Sequence, residues 1–163
     1  MKALIAKEPG VVEFIEVDKP KCGPRDVISK VSYAGICATD IALITGKTMF
    51  VESGLAKYPI RIGHEWSGIV REVGEEIHHV KVGDHVVADD GVPCFNCPDC
   101  YVGNFTQCQN SRSVGTINCY DGCFAEYMKM PGALVYKLSD GVDMQSAAWP
   151  SRRRRGSICR ALR

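Results

Sequence analysis

At 163 residues the chain has room for one domain with a proper core, and 45% hydrophobic against 24% charged residues is an ordinary globular balance. A formal net charge of +1 excludes a partner held mainly by bulk electrostatics, and no apolar run is long enough to span a membrane. Charge interrupts the first eight residues, so no signal-peptide core forms; nine cysteines then read as reduced thiols and metal ligands, which places the protein in the cytoplasm.

The first third reads as short β segments. Residues 3–6, 11–17 and 27–34 are β-branched or alternating, punctuated by Pro9-Gly10 and Gly23-Pro24. Residues 39–45 form a short helical pattern with Gly46 as its stop. A longer strand pattern covers 62–73 and ends at Gly74-Glu75-Glu76; a turn at 80–84 leads into a strand over 85–88. The strand pattern resumes over 124–130 and 134–138, and 142–149 looks helical. No internal repeat is present. Many short strands with glycine turns predict a mainly β fold with short helices, a partly open β-barrel.

Between these strands, at about 91–108, lies a cysteine-rich lobe. Cys94, Cys97, Cys100 and Cys108 follow the spacing C-x2-C-x2-C-x7-C. Four thiolates this close can complete a tetrahedral shell around one zinc; the competing reading is a loop of free or disulfide-bonded cysteines. A filled four-thiolate shell leaves no position for a substrate, so the chemistry is sought elsewhere. Upstream, Cys37 and His64-Glu65 offer a thiolate, an imidazole and a carboxylate, few enough ligands to leave a zinc an open position. Asp40 lies three residues after Cys37 and could orient a ligating histidine through its second ring nitrogen. Taken singly, each of these residues reads more simply as packing or as a surface pair.

The context joins them. Gly63-His64-Glu65-Trp66-Ser67-Gly68 is followed by Val73-Gly74, Lys81 and Gly83-Asp84-His85-Val86. This resembles the G-H-E-x-x-G…V-G…K-x-G-D-x-V signature of the zinc-containing alcohol dehydrogenases, in the medium-chain dehydrogenase/reductase superfamily. Cys37-Ala38-Thr39-Asp40 is similar to that family's C-x-[ST]-D motif, and Gly122-Cys123-Phe124-Ala125-Glu126-Tyr127 to its G-G-F-A-E-Y strand. The likeness covers residues 1–148, and its look is nearest the sorbitol, iditol and threonine dehydrogenases.

The resemblance implies a GroES-like catalytic domain over 1–148. It implies a catalytic zinc on Cys37, His64 and Glu65, and a structural zinc on Cys94, Cys97, Cys100 and Cys108. Thr39 would accept the substrate proton, and a hydride would pass from a secondary alcohol or polyol to NAD or NADP. Homo-oligomers are the family's habit. The sequence departs at Ala42, where many relatives carry a relay histidine, and at Ala38, where glycine is usual. It contains no G-x-G-x-x-G turn, so a Rossmann dinucleotide fingerprint is absent and the cofactor-binding residues are unknown. The fragment is therefore expected to be inactive alone, with an uncovered face prone to association. The stretch 149–163, with its run Arg152-Arg153-Arg154-Arg155, matches nothing in the family and reads as a frameshifted continuation. Sequencing the coding DNA tests this. Two alternatives stand beside the dehydrogenase reading. One is a stand-alone zinc-binding interaction module with a basic tail for nucleic acid, which leaves Cys37 and His64 without a purpose. The other is a zinc-independent quinone reductase, which leaves the metal ligands without one.

Overall fold

A computed structural model describes residues 1–149. The expected frameshifted stretch, apart from Trp149, lies outside the described residues. In chain order the strands and helices are β1 (Lys2–Glu8), β2 (Val11–Glu16), β3 (Asp26–Gly35), α1 (Ala38–Thr45), α2 (Met49–Glu52), β4 (Ile60–Arg61), β5 (Glu65–Val73), β6 (His85–Ala88), β7 (Gly91–Val92), α3 (Pro98–Tyr101), β8 (Arg112–Ser113), β9 (Tyr127–Pro131), β10 (Val135–Lys137) and α4 (Met144–Ala147). No helix among the described residues is long and apolar enough to cross a membrane.

Three antiparallel sheets result: β2-β1-β4, β10-β6-β5-β3-β9, and the small ribbon β7-β8. The first two are stitched where residues 124–126 cross β1. The Leu4 N–H donates to the Phe124 carbonyl at 2.7 Å, the Glu126 N–H donates to the Lys2 carbonyl at 3.1 Å, and Ala3 bridges Ala125. The sheets wrap without closing, as expected of a mainly β, partly open GroES-like barrel.

Two apolar clusters fill the interior. The larger, inside the five-stranded sheet, holds Val27, Trp66, Val70, Val86, Met128, Met130 and Val135. The smaller, between α1 and the three-stranded sheet, holds Ala6, Leu43, Ala56, Ile60 and Ile62. Phe124 packs against both. Each large apolar side chain buried in this way contributes roughly 1.5–3 kcal/mol.

The expected strand over 62–73 begins only at Glu65. Gly63 has φ +93°, a left-handed conformation that breaks the strand. Similarly, the strand expected from 124 begins at Tyr127, because residues 122–124 bond to 61–63 instead. The helix expected over 142–149 is the single turn α4.

Candidate metal centres

Helix α1 opens at Cys37, its N-cap, and Asp40 sits three residues in. The Cys37 N–H donates to Asp40 Oδ2 at 2.8 Å, which satisfies one of the free donors at a helix start. The other oxygen, Oδ1, accepts the Gly63 N–H at 3.1 Å and lies 3.5 Å from His64 Nδ1. One fully buried carboxylate thus ties together two segments 27 residues apart along the chain. The Asp40–His64 contact is long for a hydrogen bond, and among the described residues His64 Nδ1 has no hydrogen-bond partner. It is an ion pair by distance, which leaves Nε2 as the nitrogen available to a ligand.

Glu65 is registered opposite Gly35, two residues before Cys37. The result is convergence: one ligand atom each from Cys37, His64 and Glu65 lies within 4.8 Å of the others. The Cys37 sulfur is 3.8 Å from Thr39 Oγ1, so the hydroxyl borders the same space. Burial of the His64 ring opposes its charge, yet Asp40 and the Cys37 sulfur outweigh that and raise its pKa to about 9. The Thr39 backbone N–H, helped by His64 against partial burial, holds the Cys37 thiol below its ordinary value. The group is a thiol, an imidazole and a carboxylate, of which the thiol and the imidazole are biased towards charge. It is a donor set that suits a divalent ion with nitrogen and sulfur ligands.

The second group is the lobe. The sulfurs of Cys94, Cys97, Cys100 and Cys108 lie within 4.8 Å of one another, with Cys94 and Cys100 at 3.9 Å, and none is disulfide-bonded. Chain geometry brings them in: Phe95 has φ +55°, Cys97 precedes α3 with Pro98 at its first position, and a 3₁₀ turn at Phe105–Gln107 delivers Cys108. Backbone N–H groups point at sulfur, from Cys94 to Cys108 at 3.3 Å and from Asn96 to Cys94 at 3.4 Å. The Cys94 N–H, more than any other cause, lowers the Cys108 thiol to about 7. Four thiols this close, with backbone amides facing the Cys94 and Cys108 sulfurs and no disulfide among them, suit a closed four-thiolate zinc shell.

The remaining candidates sort by location. Cys119 and Cys123 join neither group: the Cys119 sulfur meets the backbone of Lys57, and the buried Cys123 sulfur meets the Glu65 carbonyl at 3.5 Å. Burial pushes the Cys123 thiol up, consistent with an inert packing residue. Trp66 is buried in the larger cluster. Phe50 and Tyr58 pack against the smaller one, and the Tyr58 hydroxyl donates to the Leu43 carbonyl. His78 and His85 are exposed, as is His79, whose Nε2 reaches the Val135 carbonyl at 3.2 Å. The sequence reading missed the arm of residues 114–124 lying over Ile62 and Gly63. Its end, Gly122-Cys123-Phe124, was visible as part of a strand motif, but nothing in the sequence named Ile62 and Gly63 as its partners.

A family model for the alcohol dehydrogenase GroES-like domain matches residues 23–140. The L-threonine 3-dehydrogenase of Symbiobacterium thermophilum is 41% identical over 132 residues, 80% of this chain and 36% of that protein. Galactitol-1-phosphate dehydrogenase from Escherichia coli is 30% identical with a TM-score of 0.78, covering 91% of this chain and 41% of that one. An alcohol dehydrogenase from Escherichia coli CFT073, solved with NADH, is 32% identical with a TM-score of 0.78 over the same 91% and 41%. The chain thus spans about two fifths of the length of these proteins.

Proposed function

From the premise that this chain belongs to the zinc-type alcohol dehydrogenases, as their N-terminal GroES-like domain, we propose that it is the metal-bearing catalytic domain of an NAD(P)-dependent alcohol or polyol dehydrogenase. Its reaction oxidises a secondary alcohol to a ketone. The observation that carries this reading is the convergence of Cys37, His64 and Glu65 beside Thr39, with Asp40 behind them. The relatives named for threonine and galactitol-1-phosphate support a small hydroxylated substrate.

In this reading Cys37, His64 and Glu65 hold zinc, and the lobe holds a second zinc whose part is structural. Zinc held by the first set supplies Lewis acidity, lowering the pKa of the substrate hydroxyl towards neutrality. Thr39 is placed to accept the hydroxyl proton. Ala42 cannot pass it on, so the route to solvent from Thr39 runs through water. Asp40 faces Nδ1 and so keeps the ring turned with Nε2 towards the metal position. The hydride acceptor, NAD or NADP, needs a dinucleotide site, and no G-x-G-x-x-G turn occurs in these 163 residues to supply one. The dehydrogenase domain ends near residue 148 in this proposal, with the lobe at about 91–108 as an excursion from the barrel.

Metal analysis tests the proposal. The purified chain should carry two zinc ions, and Cys37→Ser should carry one. A wild-type chain that carries only one ion, with the same content in Cys37→Ser, would remove the catalytic-site reading while leaving the lobe intact.

A further inference from the structure

The arm that leaves the lobe returns across the segment that carries His64. After β8, Gly115 lies directly on Gly63: a Cβ added to Gly115 would sit 2.5 Å from the Gly63 carbonyl oxygen and 2.8 Å from its nitrogen. Gly115 has φ +64°, so side chains are disfavoured there twice over. Farther along, a Cβ on Gly122 would overlap the carbonyls of Arg61 and Ile62. Three hydrogen bonds run between the two segments. The Gly122 N–H donates to Arg61 at 2.8 Å, the Cys123 N–H to Gly63 at 2.8 Å, and the Phe124 N–H to Ile62 at 3.1 Å. The Phe124 ring covers the other side of Gly63, 2.5 Å from where a Cβ would stand.

The arm is itself braced. Asn118 and Cys119 are consecutive non-glycine residues at φ +51° and +47°, a costly arrangement that something must hold. Arg112 holds it: Nε donates to the Asn118 carbonyl at 3.0 Å, Nη2 donates to the Cys119 carbonyl at 2.7 Å, and the guanidinium lies over the Tyr120 ring. The Tyr120 carbonyl in turn accepts the Gly115 N–H at 2.7 Å, closing the loop back onto Gly63.

We propose that residues 114–124 are a clamp that sets the position of His64, with Gly115 as its positioning residue. The proposal rests on the reading that Cys37, His64 and Glu65 hold a metal. None of the clamp's residues is a ligand; it acts by fixing the backbone one residue before His64. An alanine at 115 would bring its Cβ to 2.5 Å from the Gly63 carbonyl oxygen, so one of the two backbones must shift, and a shift at Gly63 moves the imidazole relative to Cys37. The lobe's four sulfurs lie outside the clamp and are not moved.

Titration of the full 163-residue chain with Co2+, read by visible absorption, tests this, because a four-thiolate site and a thiolate–imidazole–carboxylate site absorb differently. The wild-type chain should bind two ions. Gly115→Ala should fill the four-thiolate site as before and bind at Cys37, His64 and Glu65 roughly 10–100-fold more weakly, the range seen when groups supporting a ligand are altered. Gly83→Ala is the control for backbone strain, since Gly83 has φ +94° with nothing near an added Cβ; it should bind both ions normally. Should Gly115→Ala fail to fold, Phe124→Leu, which thins the ring over Gly63 without backbone strain, takes its place with the same expectation. Unchanged affinity at both sites, or an equal loss in Gly83→Ala, overturns the clamp. A wild-type chain that takes up only the four-thiolate ion overturns the underlying metal reading instead.

Discussion

Asp40 and His64 face each other across the start of α1, carboxylate oxygen to Nδ1 at 3.5 Å, with Asp40 fully buried. A buried carboxylate is tolerated because each oxygen has a donor: Cys37 N–H on one, Gly63 N–H on the other. Asp40→Asn keeps the shape but has one acceptor oxygen for two amides. It should cost about 1–3 kcal/mol by urea unfolding and weaken Co2+ binding at the Cys37 site about 10–100-fold. A variant as stable as wild type, with unaltered Co2+ affinity, would show that the two amides and His64 do not depend on this carboxylate.

The lobe makes a separate prediction. Cys108→Ser removes one of four sulfurs and the acceptor of the Cys94 N–H. The chain should lose one ion, and hydrogen exchange should accelerate in residues 93–109 while β3 and β5 stay protected. Exchange that rises equally across the barrel would instead make the lobe part of the main cooperative unit.

Asp84 gives a pH dependence with a definite sign. Burial would raise its pKa, but the Lys137 ammonium at 2.8 Å and the Lys81 N–H at 2.9 Å outweigh burial and hold it below the usual carboxylate value. A depressed folded pKa means the stabilisation is complete above the unfolded value of about 3.9 and is lost as pH falls through the folded value. Asp84→Asn should therefore destabilise at pH 7 by about 1.5–3 kcal/mol, and the gap to wild type should shrink on acidification below about pH 4. A gap constant from pH 7 to pH 2 would exclude the charge as its source.

Leu43 is fully buried where α1 meets Ile60 and Ile62. Leu43→Ala should cost about 2–5 kcal/mol. Since α1 carries Cys37 and Asp40, the same variant should also loosen the metal site, seen as slower and weaker Co2+ uptake. Destabilisation without any change in uptake would mean the helix start is held by Asp40 alone.

Much of this was legible in the sequence, for reasons that differ by element. Strands β1, β3 and β6 announce themselves because their buried positions take apolar, often β-branched residues, whereas β2 has no buried residue and is legible from its β-branched residues alone. Gly46 ends α1 where a left-handed residue was needed, at φ +73°. The four cysteines, and Cys37 with His64-Glu65, were visible because few residue types can offer a metal a ligand atom, so clusters of them stand out. What was hidden depends on contacts distant in sequence. The strand pattern of 62–73 contains His64 in a run of β-formers, and nothing local says that Gly63 must turn aside for Phe124. Phe50 and Tyr58 have the composition of a cleft wall or a core equally, and only their packing on Leu43 and Ile60 decides for the core.

The ties made by Asp40 bear on how ions would come and go. Backbone amides and a carboxylate bring residues 37 and 64 together, so the chain itself bears the cost of closing that loop as it folds. An ion arriving there meets ligands already in place and can depart without unravelling them. In the lobe the ties are chiefly the sulfurs and the amides that face them. The two centres should therefore differ in exchange kinetics: brisk swapping of one divalent ion for another beside Thr39, and slow exchange, gated by local unfolding, at the four cysteines.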